Sequence, residues 1–199
     1  MRKLTIALAT FALVSGCTVK HYVAEDYPQY LTNNLGESHL PTTSAASKYA
    51  FTPATNAQHF EFRSAMAGRA NLWIVEFGRL LEATLQSRDV QGAFGHLTRS
   101  PLEDRGDGLL VFDLQDYRFA DKHAYVTLRV IRRAGGADVF SKVYQAEGDS
   151  QGGKMFWGGS LAMKNAVQQS TKRAIDDILR RLISDLNAQT KQAAARPST

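Results

Sequence analysis

The chain has 199 residues, of which 44% are apolar and 22% are charged, and its formal net charge is +5. This composition is ordinary for a globular domain and excludes a wholly disordered or collagen-like chain. No apolar run reaches the roughly 18 residues that a membrane-spanning helix needs, which excludes a polytopic membrane protein. A single cysteine excludes an internal disulfide and a cysteine-built zinc or iron–sulfur site. The mildly basic balance gives no reason to expect a nucleic-acid partner.

The first residues have the pattern of a bacterial export signal. A short cationic stretch, Met1-Arg2-Lys3, precedes an apolar stretch over residues 4–14. Leu13-Val14-Ser15-Gly16-Cys17 resembles the lipobox of bacterial lipoproteins, in which small residues precede an acylated cysteine. A plain secretory signal or a buried helix remains the alternative interpretation.

The lipobox resemblance implies that residues 1–16 are removed and that the Cys17 thiol receives a diacylglyceryl group. The new N-terminus is then acylated, as with palmitate, and the acyl chains anchor the protein in a lipid bilayer. Thr18 follows the cysteine in place of Asp. By the sorting rule of the resembled lipoproteins, this residue implies an outer-membrane anchor with the protein facing the periplasm.

Composition divides the mature chain into three parts. Residues 17–53 are polar and turn-rich and are predicted to be the lipidated N-terminus and a tether. Their tyrosines are unusual in a free linker and leave open whether part of this segment packs on the domain. Residues 54–188 are predicted to form the folded domain, and residues 189–199 a disordered tail.

Within the domain, apolar periodicity predicts the elements in chain order. Residues 59–63 alternate as a strand, with residues 48–52 as a candidate partner, and residues 72–86 repeat with a helical period. A short strand is predicted at 90–97, followed by strands at 110–119, 124–130 and 139–146 and a last helix at 160–187. This order predicts an α+β fold, a two-layer sandwich with an antiparallel sheet of four to five strands packed on two helices.

The predicted sheet leaves one face for a partner. Tyr125 and Arg129 alternate with apolar residues on the strand at 124–130, so they are predicted to lie on the solvent side, with Phe140 and Tyr144 as further candidates on that side. We therefore expect Tyr125 and Arg129 to contribute to partner binding.

A glycine-rich loop precedes the last helix. Residues 148–154 match G-x-x-x-x-G-K, but Met155 replaces the hydroxyl residue that would hold Mg²⁺, so no nucleotide is expected. Phe156 and Trp157 are large apolar side chains beside these glycines. They are candidate partner-binding residues, and the alternative is that they fill the layer between sheet and helix.

No pattern of catalytic or metal-binding residues is present. The five histidines have no metal-ligand spacing, and no G-x-S-x-G nucleophile elbow occurs. Asp113 and Asp116 could form a carboxylate pair, and the Asp176-Asp177 pair is predicted to lie on a solvated helix face. We therefore predict no catalytic residue, no metal, no cofactor and no enzymatic activity.

The order of elements after a lipobox resembles the auxiliary lipoproteins of ABC-type lipid transport systems. It is similar as well to YajG-like lipoproteins and to the lipopolysaccharide-assembly lipoprotein. The resemblance covers roughly residues 60–186, and the long segment before it is a departure. It implies a non-catalytic binding or assembly component of an envelope complex, with an envelope protein or a lipid as its partner. The alternative is a periplasmic small-ligand carrier or enzyme that uses a cleft between sheet and helices.

Overall fold

A computed structural model of the chain describes residues 18–65, 68–150 and 155–195, with only the backbone given for 155–158. The predicted signal peptide and Cys17 lie outside these residues. The described part of the chain contains eight strands and five helices. They are β1 (Val19–Tyr22), α1 (Tyr27–Asn33), β2 (Lys48–Phe51), α2 (Pro53–Ala57), β3 (Phe60–Phe62), β4 (Asn71–Val75), α3 (Phe77–Gln86), α4 (Arg88–Phe94), β5 (Thr98–Arg99), β6 (Leu109–Ala120), β7 (His123–Ala134), β8 (Ala137–Gly148) and α5 (Met155–Ala194).

The predicted α+β class is confirmed, and the strands form two sheets. The larger sheet has the order β5-β2-β6-β7-β8, and the smaller sheet has the order β1-β4-β3. Strands β6, β7 and β8 are antiparallel, whereas β2 runs parallel to both of its neighbours, β5 and β6. The strand expected to pair with residues 59–63 therefore pairs elsewhere, since β3 pairs with β4.

Three long strands form the centre of the larger sheet. Gly135 and Gly136 both have positive φ, which the tight turn between β7 and β8 requires. The register of β6 against β7 shifts between Leu114 and Asp116. This bulge changes the alternation, so that Phe112 and Leu114 before it and Tyr117 after it all face the same core.

Helix α5 covers the core face of the sheet. Ile178, Leu179 and Leu182 have no exposed surface, as the period of the stripe predicts. They belong to one continuous apolar cluster with Leu128 of β7 and Leu80 of α3. The helix begins before the predicted residue 160, at Met155, with a break at Gly159, where φ is 55°.

The segment expected to be a tether is part of the folded domain. Strand β1 pairs with β4 in parallel, and β2 lies inside the larger sheet. Val23 and Tyr27 are fully buried between these strands and the helices. The aromatic residues of this segment therefore belong to the core, and the folded domain begins with β1.

Two other elements differ from the predictions. The predicted helix at 72–86 is strand β4 followed by helix α3, because β4 pairs with β1 and β3 and buries the apolar run from Trp73 to Val75. The predicted strand at 90–97 is helix α4, whose start is capped by the Ser87 hydroxyl accepting from the Val90 amide. Both segments are short and apolar, which is where periodicity separates strand from helix least well.

The last helix continues through Ala194, into the segment predicted to be a disordered tail. Among the described residues, no helix combines the length and the apolar character needed to cross a membrane.

Candidate protein-binding face of the large sheet

The outer face of the large sheet carries a band of polar and aromatic side chains in aligned rows. Arg118 on β6, Tyr125 on β7 and Glu147 on β8 form one row, because β7 pairs with both neighbours at Tyr125. Asp116, Thr127 and Gln145 form the next row. The prediction that Tyr125 and Arg129 point away from the core is confirmed, since their neighbours Ala124, Val126, Leu128 and Val130 are buried.

Arg118 and Tyr125 stack on each other. The guanidinium carbon of Arg118 lies 3.8 Å from the centre of the Tyr125 ring. This cation–π contact holds an otherwise flexible arginine flat against the sheet. The residue types and the ordering are those that dominate binding energy at protein interfaces. Sequence periodicity placed Tyr125 here but did not single out Arg118, because the bulge at Gln115 reverses the alternation of β6.

A shallow cleft of about 410 Å³ lies over these rows. Its walls combine an aromatic ring, carboxylates, amide groups and a guanidinium, so it can accept a mixed polar and apolar surface. The residues that line it include Asp116, Arg118, Tyr125, Thr127, Gln145 and Glu147.

Arg129 lies one row further along and is exposed. Its Nε donates a hydrogen bond of 3.0 Å to the Ser141 hydroxyl. Asp113 lies opposite Arg129 in the register and accepts from Thr52 and Gln115. Asp113 and Asp116 therefore share the outer face, as the sequence allows, but Asp113 is engaged by Thr52, which follows β2, and by Gln115 of its own strand.

Strand β8 is an edge of the large sheet. Val139 and Val143 on this strand are about half exposed, at 48% and 51%. The carbonyl of Gln145 accepts from Nη2 of Arg181 at 2.6 Å. An edge strand with exposed β-branched side chains can accept another strand through its backbone.

The other residues predicted to bind a partner or to lie on the outer face are not described on that face. Phe156 and Trp157 begin α5, and their side chains lie outside the described residues. Tyr144, a further candidate for the outer face, lies on the core side with 2% exposure, and Phe140 packs against the core. Burial raises the pKa of Tyr144, and its hydroxyl donates to Asp185 at 2.6 Å.

A buried ion pair on α5 is the polar group that the sequence did not predict. Lys172 and Asp176 are 4% and 5% exposed, and Nζ lies 2.6 Å from Oδ2. The buried Ser38 hydroxyl donates to Asp176 and accepts from Lys172. Burial raises the pKa of Asp176, and the charge of Lys172 opposes that rise. The expectation that Asp176 faces water is wrong, because the loop carrying Ser38 covers it.

The ion pair lies beside a second surface cleft. This cleft of about 450 Å³ is bordered by Lys172, by Leu31 and Leu35 near α1, and by residues 86–89 between α3 and α4. It is a candidate binding surface for a small molecule, and its lining residues belong to the helices and their connecting segments and not to the large sheet.

The glycine that begins the G-x-x-x-x-G-K match has a packing role. A Cβ built on Gly148 would lie 1.9 Å from the backbone oxygen of Ser170. Gly148 therefore allows β8 and α5 to touch. Residues 151–154 lie outside the described residues.

Comparisons with known proteins establish no family for this chain. No family model matches the sequence, and no curated protein matches it. A solved structure from Xanthomonas campestris, of family DUF330, has 12% identity and a TM-score of 0.49, covering 77% of this chain and 92% of its own. A candidate lipoprotein of Caulobacter crescentus has 16% identity and a TM-score of 0.36, covering 78% and 95%. A hypothetical protein of Chlamydia trachomatis has 13% identity and a TM-score of 0.37, covering 72% and 99%. Likenesses of this size carry no argument about function.

Proposed function

We propose that this chain is a lipoprotein of the bacterial envelope that acts as a non-catalytic binding or assembly component. Acyl chains on Cys17 anchor it in the outer membrane, and the domain faces the periplasm. The outer face of the large sheet, around Arg118 and Tyr125, binds an envelope protein. The observation that carries the proposal is the stack of exposed Arg118 on half-buried Tyr125, next to the edge strand β8.

The chemistry of the face supports a protein partner over a small ligand. The cleft is open and mixes charges of both signs with one aromatic ring. Exposed Val139 and Val143 continue it to the sheet edge. Interfaces between proteins combine such aromatic and arginine anchors with a polar rim. A component of a lipid transport complex, as the sequence resemblance implies, needs a contact of this kind.

Two polar side chains of the face are held by bonds within the domain. Asp113 accepts from Thr52 and Gln115, and Arg129 donates to Ser141. These bonds fix the positions of the two side chains at the surface that a protein partner would meet.

Crosslinking in cells tests the proposal. A photoreactive residue replaces Tyr125 or Val143 in the full-length chain, and crosslinked products are identified by mass spectrometry. We expect one discrete envelope protein at both positions and none at His96, which is exposed just before β5, the opposite edge strand of the large sheet, and serves as the control. An Arg118→Ala change should weaken the crosslink from Val143. Crosslinks only from His96, or none from either sheet position, would contradict the proposal.

The cleft beside Lys172 favours a second candidate function, a periplasmic small-ligand carrier. Leu31, Leu35 and Ala83 line it together with polar residues 86–89 and with Lys172, whose Nζ pairs with Asp176. Native mass spectrometry of protein purified from envelopes tests this candidate. A bound small molecule that is lost in Leu35→Trp, a substitution at the exposed border of the cleft, would favour the carrier over the protein-binding component.

A further inference from the structure

Three exposed basic residues lie on the segments that meet where the chain enters the domain. Arg63 follows β3 directly, and its Nη2 donates to the Thr18 hydroxyl at 3.2 Å, while Nη1 donates to the Arg69 carbonyl at 2.6 Å. The Val19 amide donates to the carbonyl of Ala70, the neighbour of Arg69. Lys20 is the second residue of β1. Lys20, Arg63 and Arg69 therefore lie on chain segments that meet at Thr18, which is the residue after Cys17.

The positive charges of these residues face solvent, although both Nη atoms of Arg63 also donate hydrogen bonds within the domain. Lys20, Arg63 and Arg69 are all exposed. Within the described part of the chain, none of the three forms an ion pair, although Lys48, Lys142 and Arg133 elsewhere do. Glu61, two residues before Arg63 on β3, is an acidic neighbour. Its one negative charge does not cancel the three positive charges, so the local net charge is positive. Val19, between Thr18 and Lys20, is 50% exposed and adds an apolar contact.

The cluster lies at one end of the molecule. The Phe62 ring is 5.0 Å from that of Phe119, so β3 ends beside the turn between β6 and β7. The turn between β7 and β8 lies at the other end of twelve-residue strands, which is about 35–40 Å away at the usual rise per residue. Arg105 packs against Gly136 in that distant turn.

We propose that Lys20, Arg63 and Arg69 bind the anionic headgroups of the phospholipid bilayer in which Cys17 is anchored. The inference rests on the proposed lipid anchor, which brings residue 18 to the membrane surface. Lysine and arginine side chains held at an anionic membrane surface are attracted to the lipid phosphate groups, and salt screens this attraction. The cluster then fixes how the domain stands on the membrane, and the outer sheet face is presented in one orientation.

Amine labelling of Lys20 tests the proposal on the full-length, processed protein. The protein is reconstituted into vesicles of phosphatidylcholine alone or of phosphatidylcholine mixed with phosphatidylglycerol. Acylation of individual lysines is then measured by mass spectrometry. We expect labelling of Lys20 to fall about fivefold or more in the anionic vesicles, the change in partition that one cation near such a surface produces. Lys191, exposed near the end of α5, is the internal control and should label equally in both.

Charge reversal separates the cluster from the net charge of the protein. Arg69→Glu should restore labelling of Lys20, as should high salt, whereas Arg105→Glu at the far end should not. Equal effects of the two reversals, or equal labelling of Lys20 in both vesicles, would overturn the inference. A chain that floats with vesicles but leaves Lys20 unprotected refutes this inference alone. A chain that does not float with either vesicle refutes the lipid anchor of the proposed function.

Discussion

Lys172 and Asp176 form an ion pair inside the protein, one helical turn apart on α5, with 2.6 Å between Nζ and Oδ2. Two charges removed from water are costly, and their mutual attraction and the Ser38 hydroxyl offset that cost only while both are present. The loop containing Ser38 is therefore joined to α5 by a contact that needs both Lys172 and Asp176.

Removing one partner should destabilise the domain strongly. Lys172→Met should lower the free energy of unfolding by about 3–5 kcal/mol, because Asp176 is then left buried without its cation. The double variant Lys172→Met/Asp176→Leu should recover most of that loss. Urea unfolding of the three proteins measures it, and a double variant no more stable than the single one would contradict the account.

The apolar stripe of α5 predicts that shortening one of its buried side chains greatly lowers the free energy of unfolding. Leu179 has no exposed surface, so Leu179→Ala should cost about 2–5 kcal/mol through lost burial and a cavity. Leu161 on the same helix is 70% exposed and is the matched control. Leu161→Ala should change stability by less than about 0.5 kcal/mol. Equal costs in denaturant unfolding would mean that α5 is not docked on the sheet as described.

Gly148 should not tolerate a side chain. Gly148→Ala places a Cβ against the Ser170 carbonyl, and β8 and α5 must separate, so we expect a loss of about 2–3 kcal/mol or more. Gly92→Ala in α4 is the control, because a Cβ there meets nothing within 4 Å. That change should be neutral or stabilising by up to about 1 kcal/mol. Thermal melts that rank the two variants in the opposite order would refute the close approach.

Arg118 and Tyr125 should be energetically coupled but only weakly. A double-mutant cycle with Arg118→Ala and Tyr125→Ala, built from free energies of unfolding, should give a coupling energy of about 0.5–1 kcal/mol. This is the usual value for an exposed cation–π pair. The cycle of Arg129→Ala with Tyr125→Ala, in which no such stack occurs, should give none. Coupling of the same size in both cycles would point to a general disturbance of the sheet.

Lipidation of Cys17 remains a prediction from the sequence. Cys17→Ser in the full-length chain should leave an unprocessed precursor that takes up no labelled palmitate, because the thiol is the acylated nucleophile. Radiolabelling and gel mobility of wild type and variant measure this. Label retained by the variant would show that the cysteine is not the acylation site.

The sequence predicts the elements in which one apolar pattern repeats over many residues. It does not predict features that depend on residues far away in the chain. Strand β7 and helix α5 are recognisable because each buries one regular face over many residues. The same stripe predicts that Asp176 faces water, and it cannot foresee a loop more than a hundred residues away that covers this side chain. The stacking of Arg118 on Tyr125 is missed for a related reason. One extra residue at Gln115 exchanges the faces on which the later side chains of β6 lie.

The parallel pairing of the first strands has a consequence for how the chain folds. Val19 pairs with Asn71, and Lys48 pairs with Leu109, so β1 and β2 find their neighbours only after long stretches of chain have been made. Pairings of such sequence separation raise the contact order and slow folding. A chain that emerges with its N-terminus first would hold these two segments unpaired, with their apolar side chains open to aggregation. Binding of a holding chaperone to residues 19–51 before β4 and β6 have been made would protect the protein at the step where it is most vulnerable.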